Sequence, residues 1–267
     1  MKKQRVELQF NGIVVIQSLP NNEPQTGRSL YEDVIRRLCQ KGIMHSGIID
    51  VKSKTQFMML SEILLEKCQK DNLCPFLHFE IHGDKEGRGL VLANGELVTW
   101  SEVGSFTRSI NEVLKNELFI SLATCKGAYI LKSIDDPNIL APFWGMVGPK
   151  DKIYNEDIIE DFTAFYQELL TSFDLHKSIE ALNNSHNNSP YVLMTAEFVF
   201  EHFIEEYFNN KPLDKEIEFR ELSPKMRILY PHLSQVQRDD LLKRRIDNLD
   251  RTALIQELKS IFLMRLY

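Results

Sequence analysis

The sequence predicts an α/β fold: a mostly parallel sheet with helices on both faces, followed by a C-terminal helical extension. Three observations carry this expectation. Short apolar runs rich in β-branched and aromatic residues alternate with segments of helical spacing. Two of these runs, Pro75 to Ile81 and Leu118 to Thr124, are nearly continuous in apolar character, as strands covered on both faces are. The length of 267 residues, 43% of them hydrophobic, suits one α/β domain plus a modest extension.

The elements follow in order. Val6 to Ser18 supplies a strand or a hairpin around Asn11-Gly12, closed by the turn residues Pro20 to Pro24. Thr26 and Ser29 precede Leu30, Val34, Ile35 and Leu38, whose spacing predicts an amphipathic helix. Ile48 to Val51 reads as a short strand and Gln56 to Lys70 as a helix. The buried strand ending at His82-Gly83 precedes a hairpin, Gly89 to Val98, turning at Asn94-Gly95, and a helix from Ser101 to Lys115. The second buried strand stops at Cys125-Lys126-Gly127, and a short helix carries Tyr129, Ile130 and Leu131. Phe143 to Gly148 is the next strand; Asn155 is expected to cap a helix with Glu156 and Asp157 in its first turn. Asn183 to Pro190 reads as a loop, Tyr191 to Thr195 as the last strand and Glu197 to Phe208 as a helix. Beyond Pro212, Leu241, Leu242, Ile246, Leu249, Leu254, Ile255, Leu258, Ile261, Phe262 and Leu266 recur at helical spacings.

Composition excludes several functions. A net charge of −6 without a basic stripe argues against nucleic acid as a ligand. The longest apolar stretches fall far short of a bilayer span, and Met1 to Phe10 is too polar for a signal peptide, so no membrane association is expected. The four cysteines, Cys39, Cys68, Cys74 and Cys125, form no C-x-x-C pair, and a reduced, cytoplasmic protein is the expectation. The sequons at Asn183 and Asn187 then read as parts of a polar loop.

His82-Gly83 and Cys125 occupy equivalent places, each just past the carboxyl end of a buried strand. Ligands of open α/β sheets bind at those ends. A cysteine peptidase needs a nucleophilic thiolate, a histidine to manage protons and backbone N–H donors for the oxyanion. Gly83 and Cys125 would supply those N–H donors, and a helix starting after Cys125 would favour thiolate.

At these residues the sequence resembles the caspase-like clan, and within it the CHAT family. Leu77-His-Phe-Glu-Ile-His-Gly is similar to the family's histidine strand, Phe119-Ile-Ser-Leu-Ala-Thr-Cys-Lys-Gly to its nucleophile strand, and Phe165-Tyr-Gln-Glu-Leu-Leu with Ser178-Ile-Glu-Ala-Leu to its later helices. Ile81 replaces a usual glycine, and Ala123-Thr124 replaces the Gln-Ala of caspases. The resemblance implies a caspase-like three-layer sandwich over residues 1–210, with residues 211–267 as a regulatory or partner-binding helical extension. It implies a cysteine endopeptidase with a His82–Cys125 dyad, Gly83 and Cys125 at the oxyanion hole, and no cofactor. A protein or peptide substrate and a regulatory protein partner, in bacterial defence or cell death, are further implications. Loops after the nucleophile strand and the next strand would line the specificity pocket, where Asp151 and Asp157 are the nearest acidic residues. The alternative is an inactive caspase-fold scaffold or interaction module.

Other readings compete. Cys125 alone would pass for a buried structural cysteine. His78, Glu80 and His82 share one side of a strand, as metal ligands do, but a strand covered on both faces makes His78 and Glu80 partners in buried hydrogen bonds, and no metal site is expected. The His78-Phe79-Glu80 triplet lacks the P-C-x-x-C partner of zinc deaminases. The glycines of Gly83 to Gly89 lack the ending and following helix of a phosphate loop.

Overall fold

Strand β1 (Gly12–Ser18) is buried along its whole length, in keeping with the unbroken apolar run Ile13-Val14-Val15-Ile16. It lies between β2 (His45–Asp50) and β3 (Pro75–Gly83), parallel to both. β6 (Phe119–Leu122) and β7 (Gly145–Pro149) continue the sheet in parallel, and β8 (Tyr191–Thr195) runs antiparallel to β7. The order is β2-β1-β3-β6-β7-β8, and the hairpin of β4 (Gly89–Val91) and β5 (Leu97–Thr99) pairs onto the end of β3. This computed structural model describes residues 8–42, 44–134, 136–185, 191–210, 216, 219–220, 223–224, 226, 230–247 and 251–264.

Helices cover both faces of the sheet. Alternation along β3 sends Leu77, Phe79 and Ile81 to one side, where α3 (Lys54–Lys70), α4 (Trp100–Val113) and α7 (Ala196–Asn210) bury Phe57, Phe106 and Phe200. Phe76 faces the other side, against α5 (Asn155–Ser172) and α6 (Leu175–Asn184). That layer also holds a helical segment made of α1 (Thr26–Leu30), a π-helical stretch (Tyr31–Ile35) and α2 (Arg36–Gly42). The result is three layers, α/β/α, with a mostly parallel central sheet.

Most expected elements are present, with ends displaced by a few residues. Of the strand or hairpin expected around Asn11-Gly12, the described residues form the strand: the Asn11 N–H donates to the Cys74 carbonyl at 2.9 Å and Gly12 opens a single parallel strand. Two details differ. Asn155 is not a cap: Tyr154 occupies the extended N-cap position without a side-chain hydrogen bond, and Asn155 is the first helical residue. Asn183 and Asn184 end α6 instead of starting a loop. Val6, residues 186–190 with the second sequon, Leu249 and Leu266 lie outside the described residues.

Two further helices, Gln235–Asp247 and Arg251–Phe262, follow. The second is part of the main core. Leu258, Phe262 and Leu263 are buried with Phe200 and Ile204, the Phe200 and Phe262 rings are 5.5 Å apart, and the Phe262 carbonyl accepts the Ala141 N–H at 2.9 Å. Leu242 and Ile246 instead form a small separate cluster with Met226.

Candidate active site

β3 and β6 pair in parallel from Phe76 opposite Phe119 to Phe79 opposite Leu122. The same offset along the chain separates His82 from Cys125, so both residues stand three positions beyond the last paired rung. One more bond, from the Ala123 N–H to the Phe79 carbonyl at 2.9 Å, holds the two strands together just past the last rung. His82, Cys125, Thr124 and Ile153 line one small pocket at this edge, with the buried Glu80 carboxylate beside them.

Gly83 is where the two chains touch. A Cβ there would lie 2.0 Å from the Cys125 carbonyl oxygen and 3.2 Å from the Cys125 Cβ, so only glycine permits this approach. The ladder to β4 also orients its amide. The Asp84 N–H donates to the Gly89 carbonyl at 2.9 Å, and the neighbouring pair, Gly83 opposite Leu90, is therefore of the non-hydrogen-bonded kind. The Gly83 N–H thus points away from β4, to the side on which β6 leads into Cys125. Asp84 itself is buried and accepts from the Arg88 side chain and from the Glu86 and Arg88 N–H groups, which locks the loop after Gly83. The Arg88 guanidinium holds the Asp84 carboxyl well below the usual carboxylate range.

His82 and Cys125 are not hydrogen-bonded to each other. The Cys125 thiol, half-buried, contacts the Ile153 carbonyl at 3.6 Å. His82 Nε2 meets Glu23 Oε2 at 2.5 Å, which leaves Nδ1 as the nitrogen without that partner. Glu23 sits in the Pro20 to Pro24 turn and went unnoticed in the sequence. The available signal was its place: the turn follows the carboxyl end of β1, beside the carboxyl end of β3.

Lys126 adopts the left-handed conformation (φ 57°), and a seven-residue 3₁₀ helix, Gly127–Ser133, begins only after it. The expected stabilisation of a Cys125 thiolate by a helix start is not supported by this geometry. The leading N–H groups are already used: Lys126 donates to Asp151 O at 3.0 Å and Gly127 to Thr124 O at 3.0 Å, and so short a helix has little dipole.

His78 and Glu80 point into the layer beneath. His78 Nδ1 pairs with Ser121 Oγ at 2.8 Å and Nε2 with Glu80 Oε2 at 3.1 Å, while Thr26 Oγ1 donates to Glu80 Oε1 at 2.6 Å. Ser121 Oγ also pairs with the Tyr166 hydroxyl at 3.0 Å. These buried polar atoms satisfy one another. Among the described residues, no group of three or more His, Cys, Asp or Glu side chains is arranged to hold a metal ion.

Asp151 is exposed, and its carbonyl is engaged by Lys126. Asp157 lies in the first turn of α5, beside Ile158, which lines the pocket; the lining carboxylate is Glu80. Burial pushes the Tyr191 phenol up, reinforced by Asp161, Glu80 and Asp157, so this end of α5 is acidic.

Burial pushes the Cys68 and Cys74 thiols up to about 11 and raises Cys39 as well. No family model matches the chain, and no curated protein matches it.

Proposed function

We propose that this chain is a cysteine endopeptidase of the caspase-like, CHAT type, with Cys125 as nucleophile and His82 as acid and base. The observation that carries the reading is the shared pocket of His82 and Cys125 at the ends of adjacent parallel strands, with Gly83 in backbone contact with Cys125.

The steps follow from that arrangement. Sγ of Cys125 attacks the scissile carbonyl carbon and its proton passes to His82. The carbonyl π electrons move to oxygen, and the Gly83 and Cys125 N–H groups receive the oxyanion. The C–N bond then breaks as His82 protonates the leaving amine, which leaves a thioester on Cys125. Water, deprotonated by His82, attacks the thioester and restores the thiol. No step requires a cofactor. By the family resemblance, the chain acts on a protein substrate under control of a partner, in bacterial defence or cell death.

The separation of the dyad favours one second reading. With the Cys125 thiol directed to the Ile153 carbonyl and not hydrogen-bonded to His82, the chain in this state is latent, or serves as a scaffold. A thiol-directed activity probe tests the choice. Selective labelling of Cys125, lost in His82→Ala, supports the peptidase; equal reactivity of Cys125 and Cys74 in every activation state supports the scaffold.

A further inference from the structure

We infer that Glu23 is the positioning residue of the site, which selects the tautomer and orientation of His82; this rests on the peptidase reading above. The Glu23 carboxylate accepts only, so at 2.5 Å from Nε2 it places the ring proton there. Nδ1 is then the lone-pair nitrogen that takes the Cys125 proton. When His82 becomes positively charged in that step, the carboxylate already faces the charge.

The turn that carries Glu23 is fastened for this purpose. The Glu23 N–H donates to the Pro20 carbonyl at 3.1 Å, closing the turn. Gln25 Nε2 donates to the Pro20 carbonyl at 2.9 Å and to the Glu23 carbonyl at 3.0 Å, gripping both sides of it. Gln25 Oε1 in turn accepts from Gln17 Nε2 at 2.9 Å, and Gln17 is 1% exposed within β1. Gln17 is itself fixed by Asp50 Oδ1 at 2.8 Å and by the Arg28 N–H at 2.9 Å. A chain of side chains therefore ties the carboxylate to the sheet that also carries His82. A surface ion pair with no further role would not need such a mount, since exposed pairs contribute little to stability.

The experiment is ¹⁵N NMR of histidine-labelled protein, with the His82 signals identified by their loss in His82→Ala, alongside peptide turnover. The wild type is expected to show the Nε2–H tautomer. In Glu23→Ala the His82 signals move to a tautomer mixture, and in Glu23→Gln they move too, because the amide can also donate. Turnover falls about 10²-fold or more in kcat, with KM little changed. Gln25→Ala, which loosens the turn without touching Glu23, shifts the same signals by less. Glu23 lies on a surface turn, so unchanged thermal unfolding is expected in both Glu23 variants. His82 signals unaltered in both Glu23 variants overturn the assignment, whatever the turnover. A tautomer shift in a chain that cleaves no peptide in any activation state upholds the Glu23–His82 assignment and overturns the peptidase reading.

Discussion

Gly83 and Cys125 are in backbone contact: a methyl group added to Gly83 would lie 2.0 Å from the Cys125 carbonyl oxygen. The contact joins the two strand ends that carry His82 and Cys125. Gly83→Ala is therefore expected to displace Cys125 and one oxyanion donor, with a loss of about 10²-fold or more in kcat and a lower Tm. Gly47→Ala on β2 is the control, since nothing lies within 4 Å of its added Cβ. Peptide turnover and thermal unfolding of both variants check this; equal behaviour would show the Gly83 contact to be dispensable.

The thiols should separate by pH. In Cys125→Ala, Cys68 and Cys74 are held at about 11 by burial, so alkylation is slow near neutral pH and rises as pH approaches that value. The wild type should show one additional, faster thiol. Mass mapping of iodoacetamide adducts against pH reads both.

Asp84 links the site loop to acid stability. Its carboxyl is depressed by Arg88, so its contribution is complete above the unfolded value of about 3.9 and is lost as pH falls towards the lower folded value. Asp84→Asn should lower Tm at neutral pH, and the difference from the wild type should shrink as the pH falls below about 4. A constant difference down the pH scale would remove the carboxylate's charge from the explanation.

The last described helix is a structural part of the core. Phe262 is 1% exposed and packs on Phe200, so Phe262→Ala should cost about 3–5 kcal/mol in stability by urea unfolding. A chain ending at Asn210 would uncover Phe200 and Ile204 and is expected to be insoluble. A soluble, cooperatively unfolding truncation would contradict this packing and favour a detachable regulatory element.

The sheet and the strand-end places of His82 and Cys125 were legible because each rests on local sequence. The runs Pro75 to Ile81 and Leu118 to Thr124 are mostly apolar and covered on both faces, and each stops at a histidine or cysteine near glycine. Glu23 was not legible, because its contact spans 59 residues and depends on how β1 and β3 end beside each other. The shared register of His82 and Cys125 likewise exists only once β3 and β6 pair. Lys126 concealed the form of the next turn, since a left-handed conformation at a residue other than glycine leaves no mark in the sequence. The apolar stripe that includes Leu258 and Phe262 was visible as a helix face, but the stripe does not identify its partner; the structure places it against α7.

Trapping the acyl-enzyme tests the central claim most directly. The chain, with any activating partner present, is mixed with a peptide ester substrate, quenched in acid and digested for mass spectrometry. The account predicts a thioester adduct on the fragment that contains Cys125, absent in Cys125→Ala and strongly reduced in His82→Ala. Hydrolysis that continues undiminished in Cys125→Ala, or turnover by the wild type with no adduct on Cys125 under any quench time, would contradict it.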